Sequence, residues 1–152
     1  MDESGINTFV TREYGRAFRG QKVEGQKSGR KFQRVNIIGA LCDGKHIALQ
    51  CYKNTTNAAF FLKWFSENLI KEVPRGGVII MDNASFHSKR ELAKIIKKTR
   101  RKISLLFLPP YSPDLNPIEK SWGNMKRKLR DTLPHHKTLE PAIYDYFHLT
   151  DT

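Results

Sequence analysis

Alternating and continuous apolar runs at the start of the chain predict strands. Val35–Cys42 and Lys45–Tyr52 are two β-compatible runs separated by Asp43-Gly44. An Asp-Gly pair readily adopts the positive φ angles of a type I′ turn, so the two runs are predicted to form a β-hairpin. Extended-looking stretches at Ile6–Val10 and Tyr14–Gly20 precede the hairpin and predict short strands.

Later in the chain, strand and helix patterns alternate. Val78–Met81 and Ile103–Leu108 are continuous apolar runs between turn residues, which is typical of strands buried on both faces of a parallel sheet. Helices are predicted where apolar residues recur at helical spacing, namely at Ala58, Phe61, Leu62, Phe65 and Leu69, at Leu92, Ile95 and Ile96, at Ile118, Trp122, Met125 and Leu129, and at about 138–148. Ser88-x-x-Glu91 resembles a capping box at the start of the second helix, and Asn116-Pro117 suits the start of the third.

This order of elements indicates the fold class. Antiparallel strands followed by alternating helices and strands predict an α/β fold: a mixed sheet of antiparallel hairpin strands and parallel central strands, with helices on both faces. The RNase H-like fold has this order of elements. The length of 152 residues is that of a single domain, so residues 1–152 are predicted to form one domain.

The number and clustering of basic residues indicate which class of partner the chain binds. The chain carries 27 Lys+Arg against 15 Asp+Glu, a formal net charge of +12, and much of the excess lies in three clusters. The clusters favour nucleic acid over a membrane surface, since no strongly amphipathic terminal helix accompanies them and no apolar run could cross a bilayer. The candidate contacts in the first two clusters are Arg16, Arg19, Lys89 and Arg90, although each cluster could also be a solvated face. Cys42 and Cys51 are too few for a disulfide scaffold, and the hairpin register pairs Cys42 with Lys45.

Three acidic residues stand where a fold of this class would gather them. Asp82 directly follows the strand Val78–Met81, at the carboxyl end where α/β sheets open their ligand crevice. Glu119 lies in the first turn of the helix after a proline-rich loop, and Asp2 lies at the head of the first strand, which is expected beside the strand that ends at Asp82. Converging carboxylates repel one another unless cations neutralise them, and hard oxygen ligands select Mg²⁺ or Mn²⁺. The sequence therefore permits a two-metal nuclease or strand-transfer site.

Each acid also has a simpler interpretation. Asn116-x-x-Glu119 is itself a capping box, Asp82-Asn83 could open a turn, and Asp2 could belong to a disordered end. His87 could be a surface or hydrogen-bonded histidine, and Trp64 and Trp122 are predicted to lie in the core. Spacing alone leaves these alternatives open.

Two segments resemble the catalytic core of mariner-type bacterial insertion-sequence transposases, members of the DDE superfamily of endonucleases. They read DNASFH at residues 82–87 and LFLPPYSPDLNPIEKSW at residues 106–122. The segments DESG at residues 2–5 and YGRAFRG at residues 14–20 are similar to the first catalytic segment of that family. The resemblance extends from residue 2 to about residue 130.

The resemblance implies a set of roles for individual residues. Asp2, Asp82 and Glu119 would be the catalytic triad that binds two Mg²⁺ or Mn²⁺ ions, and Asn83, His87 and Asn116 would support it. Lys120, Lys126, Arg127 and Arg130 would hold phosphates near the site, or else form a solvated helix face. Full-length relatives carry an N-terminal helix-turn-helix region that this chain lacks, so we expect the catalytic part alone.

The implied reaction is metal-dependent cleavage at transposon ends, followed by attack of the freed 3′-hydroxyl on target DNA. The expected partners are transposon-end DNA, target DNA and a second copy of the chain, in the bacterial cytoplasm at the nucleoid. Two alternatives remain open at this point. The chain could be an inactive remnant that only binds DNA, or a structure-selective nuclease of the same fold.

Overall fold

Within the part of the chain that the structure describes, five strands form two small sheets that meet at residue 1. The computed structural model describes residues 1–7, 19, 34–110, 112–133, 136 and 138–147. Strands β1 (Asp2–Asn7), β2 (Arg34–Cys42) and β3 (Lys45–Tyr52) form an antiparallel sheet in the order β1-β2-β3. Strands β4 (Val78–Met81) and β5 (Ser104–Phe107) form a parallel pair. The mixture of antiparallel and parallel strands agrees with the predicted fold class.

The predicted hairpin is confirmed in its register. Cys42 lies opposite Lys45, and the connecting residues Asp43 and Gly44 have φ angles of 49° and 76°. Cys51 lies opposite Ile37, and both cysteines are free thiols. The Asp-Gly pair thus fixes the hairpin as predicted and keeps the two cysteines apart.

A hydrogen bond links the two sheets beside the predicted site. The amino group of Met1 donates to the carbonyl of Ile80 at 2.8 Å, which puts the head of β1 next to β4. Asp2, the first residue of β1, therefore lies close to the end of β4, where Asp82 follows Met81. The expectation that the first strand lies beside the strand ending at Asp82 is confirmed.

The helices follow the predicted apolar stripes. They are α1 (Ala58–Trp64), a π-helical turn (Phe65–Leu69), α2 (Ile70–Glu72), α3 (Lys89–Thr99), a 3₁₀ turn (Pro113–Leu115), α4 (Pro117–Thr132) and α5 (Leu139–Tyr146). None of the described helices is long and apolar enough to cross a membrane. The predicted strand Tyr14–Gly20 lies outside the described residues except for Arg19, and Ile6–Val10 is described only as far as Asn7.

Helices cover both faces of the antiparallel sheet. Since side chains alternate along each strand, neighbouring residues of β2 belong to different cores. One core cluster combines Trp64 of α1 with Ile38 of β2, and also includes residues of α3. The other packs Trp122 of α4 against the opposite face, together with Ile37 and residues of α5. Both tryptophans are buried as predicted, and α4 is held directly against β1.

The parallel strands are not buried on both faces, contrary to the prediction. Ile79 and Met81 point into the first core, but Val78 and Leu106 are 58% and 51% exposed and Ile80 is 36% exposed. The reason is that α4 packs over β1 and β2 and leaves the second face of β4 and β5 less covered. A continuous apolar run does not by itself show how many faces of a strand are covered.

The predicted helix starts are confirmed, but the side-chain bonds of a capping box do not form at them. Helix α3 begins directly after Ser88, but the Ser88 side chain makes no capping hydrogen bond. Helix α4 begins directly after Asn116, whose side chain also makes no capping bond. The starting points were therefore correct, while the reciprocal side-chain bonds of a capping box are not what fixes them.

Candidate active site

Three acidic side chains from three separate elements line one groove. Asp2 begins β1, Asp82 follows β4, and Glu119 lies in the first turn of α4. We call this space of about 380 Å³ the carboxylate groove. Its remaining walls come from the loops after β4 and β5 and include Asn83, Ala84, Leu108, Pro109, Pro110, Ser112 and Asn116. The structure thus brings the three acids together as the sequence predicted.

The carboxyl group of Asp2 is largely buried in this groove and lies near other carboxylates. Its Oδ2 atom is buried and has no hydrogen-bond partner. Burial raises the pKa of Asp2 to about 7, and the carboxylate of Glu119 acts in the same direction, as do Glu3 and Asp82 more weakly. A hydrogen bond from the Glu3 backbone N–H opposes this rise in the pKa. A cation in the groove would relieve both the desolvation of Asp2 and its repulsion by Glu119.

Asp82 is fixed by two hydrogen-bond donors on one of its oxygens. Its Oδ1 accepts a bond from the Ala84 backbone N–H at 3.2 Å and lies 3.0 Å from Nδ1 of His87. The simpler interpretation of Asp82-Asn83 as a turn opener is therefore correct as geometry. This turn is compatible with a role of Asp82 in the site, because its side chain is 53% exposed and lines the carboxylate groove. Asn83 is exposed beside it and also lines the carboxylate groove.

His87 is buried behind Asp82 and contacts it, so of the simpler interpretations the hydrogen-bonded histidine is correct and the surface position is wrong. Its side chain is 1% exposed, and its ring lies 4.1 Å from the ring of Phe61, measured between centroids. Nδ1 also lies 3.4 Å from the Asp82 backbone carbonyl. Because the carbonyl and the carboxylate are both acceptors, Nδ1 carries the proton. His87 therefore holds Asp82 from behind and does not face the groove.

Glu3 is a site residue that the sequence analysis missed. Its Oε1 lies 3.6 Å from Nε2 of His87, and both of these atoms are buried without a hydrogen-bond partner. Alternation along β1 directs Glu3 to the face opposite Asp2, so a buried acid next to a candidate ligand went unnoticed. The available signal was an acidic residue in the first strand, adjacent to a residue already singled out.

Asn116 joins the helix of Glu119 to the strand of Asp2. It is 6% exposed, and its Nδ2 donates to the Met1 carbonyl at 3.3 Å. This bond ties the start of α4 to the start of β1. Glu119 is exposed in the groove, and the Asn116 side chain makes no capping bond at this helix start, so the capping-box explanation of Asn116-x-x-Glu119 is not supported.

The basic residues singled out from the sequence lie away from the carboxylate groove. Of those that the structure describes, none is among the groove's lining residues. Lys89 and Arg90 are exposed at the start of α3, and Lys89 Nζ lies 4.7 Å from the centre of the Phe107 ring. Lys120, Lys126 and Arg130 lie along α4, Arg19 is exposed, and Arg16 lies outside the described residues. Arg127 borders a separate cavity with Asp131 and Asp145.

The carboxylate oxygens of the groove are suitable ligands for hard cations, although among the described residues they do not surround a single ion position. Within the described ranges, no three His, Cys, Asp or Glu side chains converge closely enough to coordinate one ion. The three groove acids supply oxygen ligands only, and the buried Asp2 Oδ2 lacks a partner. Oxygen ligands of this kind fit Mg²⁺ or Mn²⁺ better than softer metals.

The comparisons with known proteins agree with this arrangement. A model of the DDE superfamily endonuclease family matches residues 1–140. The chain belongs to this family. The membership in the DDE superfamily that the sequence resemblance implied is therefore confirmed.

Curated relatives match shorter stretches of the chain. The "Transposable element Tcb1 transposase" of Caenorhabditis briggsae is 39% identical over 56 residues, which are 37% of this chain and 20% of that protein. The "Uncharacterized protein y4pE/y4sA" of Sinorhizobium fredii (strain NBRC 101917 / NGR234) is 43% identical over 49 residues, or 32% of this chain and 33% of that protein. The matched stretches thus span a third or less of these relatives.

Solved structures share the fold over nearly the whole chain. A Mos1 transposase paired-end complex with the left transposon end matches 99% of this chain and 47% of its own, with a TM-score of 0.69 and 18% identity. A Mos1 mariner paired-end complex with Mn matches 97% of this chain and 50% of its own, with a TM-score of 0.56 and 17% identity. The DDE family's RNase H-like fold is therefore confirmed, and this chain spans about half the length of those transposase chains.

Proposed function

We propose that this chain is the catalytic domain of a DNA transposase. The observation that carries the proposal is the convergence of Asp2, Asp82 and Glu119 on one groove, with the pKa of Asp2 raised to about 7 by burial and by its neighbouring carboxylates. Such an arrangement is costly for the fold unless cations bind there. The membership of the chain in the DDE superfamily endonuclease family supports the same conclusion.

Asp2, Asp82 and Glu119 would hold two Mg²⁺ or Mn²⁺ ions. When bound, two such ions supply Lewis-acid activation of a water molecule and stabilisation of the leaving oxygen in phosphodiester cleavage. His87 and Ala84 hold the Asp82 carboxylate in one orientation, since both donate to its Oδ1. Asn116 sets the start of α4, and with it Glu119, against the start of β1. Asn83 lines the groove and would contact the DNA or the ion shell.

The proposed reaction has two steps on DNA. Water attacks a phosphorus atom at the transposon end and releases a 3′-hydroxyl, which then attacks a phosphodiester of target DNA and displaces its bridging oxygen. The similar Mos1 structures are described as complexes with a transposon end and as a strand transfer complex, which supports DNA as the partner here. We also propose that the chain acts as a homodimer at the nucleoid, and light scattering of the purified protein with and without DNA tests the dimer.

The test is cleavage of plasmid DNA in buffer containing Mn²⁺. The wild-type protein should nick the plasmid, and Asp82→Ala and Glu119→Ala should abolish nicking while DNA binding stays intact or becomes tighter. Glu67→Gln, an exposed acid in the π-helical turn, is the matched control and should cleave like the wild type. Nicking that persists in both site variants would contradict the proposal.

The same assay separates two other functions. A DNA-binding remnant would bind the plasmid but give no metal-dependent nicks. A structure-selective nuclease would nick but never yield products in which one DNA strand is joined to another. Joined products on transposon-end DNA, dependent on Glu119, are the result expected for a transposase.

A further inference from the structure

A second groove opens on the same acids from the other side of β1. It has a volume of about 520 Å³ and shares Asp2, Asp82 and Ala84 with the carboxylate groove. The wall away from the acids is formed by residues of β2 and of the segment after β3. We call this space the basic groove, because Arg34 and Lys53 line it.

Basic side chains line only this second approach to the acids. Arg34 and Lys53 both border the basic groove. Among the described residues, the lining of the carboxylate groove includes no Lys or Arg. The carboxylate of Glu3 also lines the basic groove, beside Asp2 and Asp82. Arg34 and Lys53 are nevertheless the cationic side chains that a polyanion meets on this approach to the acids, whereas the described lining of the carboxylate groove offers it none.

Arg34 is held in place across the neighbouring strand. Its Nε donates to Oδ1 of Asn36 at 3.2 Å. Its guanidinium lies over Gly5 of β1, where a Cβ atom would come within 2.8 Å of Nη2. The absence of a side chain at Gly5 thus makes room for the planar guanidinium, which suits phosphate recognition better than an ammonium group does.

Hydroxyl and amide groups continue the same wall. Asn36 Nδ2 donates to the Asn54 carbonyl at 2.9 Å, which fixes the segment that carries Lys53 and Thr55. The Lys53 side chain is 72% exposed, and its Nζ lies 3.4 Å from Glu140 Oε2. An exposed ion pair of this kind is weak, so Lys53 can exchange Glu140 for a phosphate at little cost.

We propose that the basic groove binds the phosphate backbone of the DNA strand being cut. Arg34 and Lys53 contact phosphates that flank the reacting one, and Thr55 adds a hydroxyl donor. This inference rests on the proposed function, because the acids at the end of the groove are taken as the cleavage site. Arg34 belongs to one of the basic clusters of the sequence, but none of the candidate DNA contacts named from the sequence lines this groove among the residues that the structure describes.

The test compares the salt dependence of DNA binding between variants. A labelled single-stranded oligonucleotide is titrated with protein in EDTA at several salt concentrations, and binding is followed by fluorescence anisotropy. The logarithm of the binding constant falls linearly with the logarithm of the salt concentration. Each lost phosphate contact on single-stranded DNA makes this slope less steep by about 0.7. Arg34→Ala and Lys53→Ala should each show this decrease and bind more weakly at low salt. Lys63→Ala and Lys71→Ala remove the same charge from exposed helix positions outside the groove and should keep the wild-type slope.

Two further variants sharpen the result. Glu140→Gln frees Lys53 from its ion pair and should bind DNA as tightly as the wild type or more tightly. Arg34→Lys keeps the charge but not the planar donor geometry and should fall between wild type and Arg34→Ala. Lys53 is an exposed side chain, so Lys53→Ala remains informative even if Arg34→Ala does not fold.

The outcome also distinguishes this inference from the proposed function. If Arg34→Ala and Lys53→Ala bind DNA with the wild-type slope while Mn²⁺-dependent nicking persists, the basic-groove inference is wrong and the catalytic proposal stands. If both slopes fall as expected while the wild type shows no Mn²⁺-dependent nicking, the groove binds DNA and the catalytic proposal is wrong.

Discussion

Replacing Asp2 by asparagine should stabilise the metal-free protein at neutral and alkaline pH. Folding raises the pKa of Asp2 from 3.8 to about 7, mainly because the carboxyl is buried. At about 1.36 kcal/mol per unit, the ionised carboxylate costs the fold up to about 4 kcal/mol. An asparagine side chain cannot ionise, and its amide replaces a carboxylate oxygen that is buried without a partner.

The pH dependence gives the sign of the effect. Because the pKa is raised on folding, the wild type loses stability as the pH increases from about 4 to about 7, and the loss is complete above about 7. Asp2→Asn should therefore match the wild type near pH 4 and exceed it at pH 8. For a chain of this length, about 4 kcal/mol corresponds to a rise in Tm on the order of 10 °C.

Thermal melts in EDTA from pH 4 to pH 8, followed by circular dichroism, measure this difference. Asp43→Asn, in the exposed hairpin turn, is the control and should show no pH-dependent gain. Glu119→Gln should give a smaller gain than Asp2→Asn, since it removes the repulsion of Asp2 but not its burial. An Asp2→Asn protein less stable than the wild type at pH 8, or a gain that does not vary with pH, would refute the reasoning.

Three further predictions concern the surroundings of the site and the core. His87→Ala should weaken Mn²⁺ binding, measured by calorimetry, by about 10–100-fold, because Asp82 loses the ring nitrogen that lies 3.0 Å from its Oδ1. Trp64→Phe should lower the free energy of unfolding, measured in urea, by about 1–3 kcal/mol in addition to the effect of the smaller side chain. The reason is that Trp64 Nε1 donates to the buried Ala48 carbonyl at 2.8 Å. Burial raises the pKa of the Cys51 thiol to about 11, so alkylation of Cys51 at pH 8 should be slow in the folded protein and fast in urea.

Each of these has a control within the chain. His87→Asn keeps an N–H donor at this position and should bind Mn²⁺ more tightly than His87→Ala, whereas equal affinities would argue against a positioning role. Trp122 Nε1 has no hydrogen-bond partner, so Trp122→Phe should cost less than Trp64→Phe. Rapid alkylation of Cys51 in the folded protein would contradict its burial against α5.

Much of the fold was predictable because local patterns determine it. The Asp43-Gly44 turn and the 3.6-residue apolar stripes each specify one element, and their order specifies the fold class. The coverage of β4 was not predictable, because whether Val78 and Ile80 are buried depends on where α4 packs. Periodicity within a strand carries no information about the position of a distant helix.

The candidate site was predictable to the same extent. Asp82 and Glu119 stand at the ends of elements, where chain order alone brings side chains to one edge of a sheet. Glu3 was recognised only as part of the segment at residues 2–5, and Arg34 only as one of the clustered basic residues. Neither was assigned a role, because each acquires its surroundings from the pairing of β1 with β2. Such residues become visible only when the register of the strands is known.

The most direct test of the central claim is calorimetric titration of Mn²⁺ into the wild-type protein, Asp82→Ala and Glu119→Ala at pH 8. If the three carboxylates form one metal site, the folded wild type should bind Mn²⁺, and both variants should lose that binding while keeping their affinity for DNA. Binding of equal strength in all three proteins, or none in a folded wild type, would contradict the account.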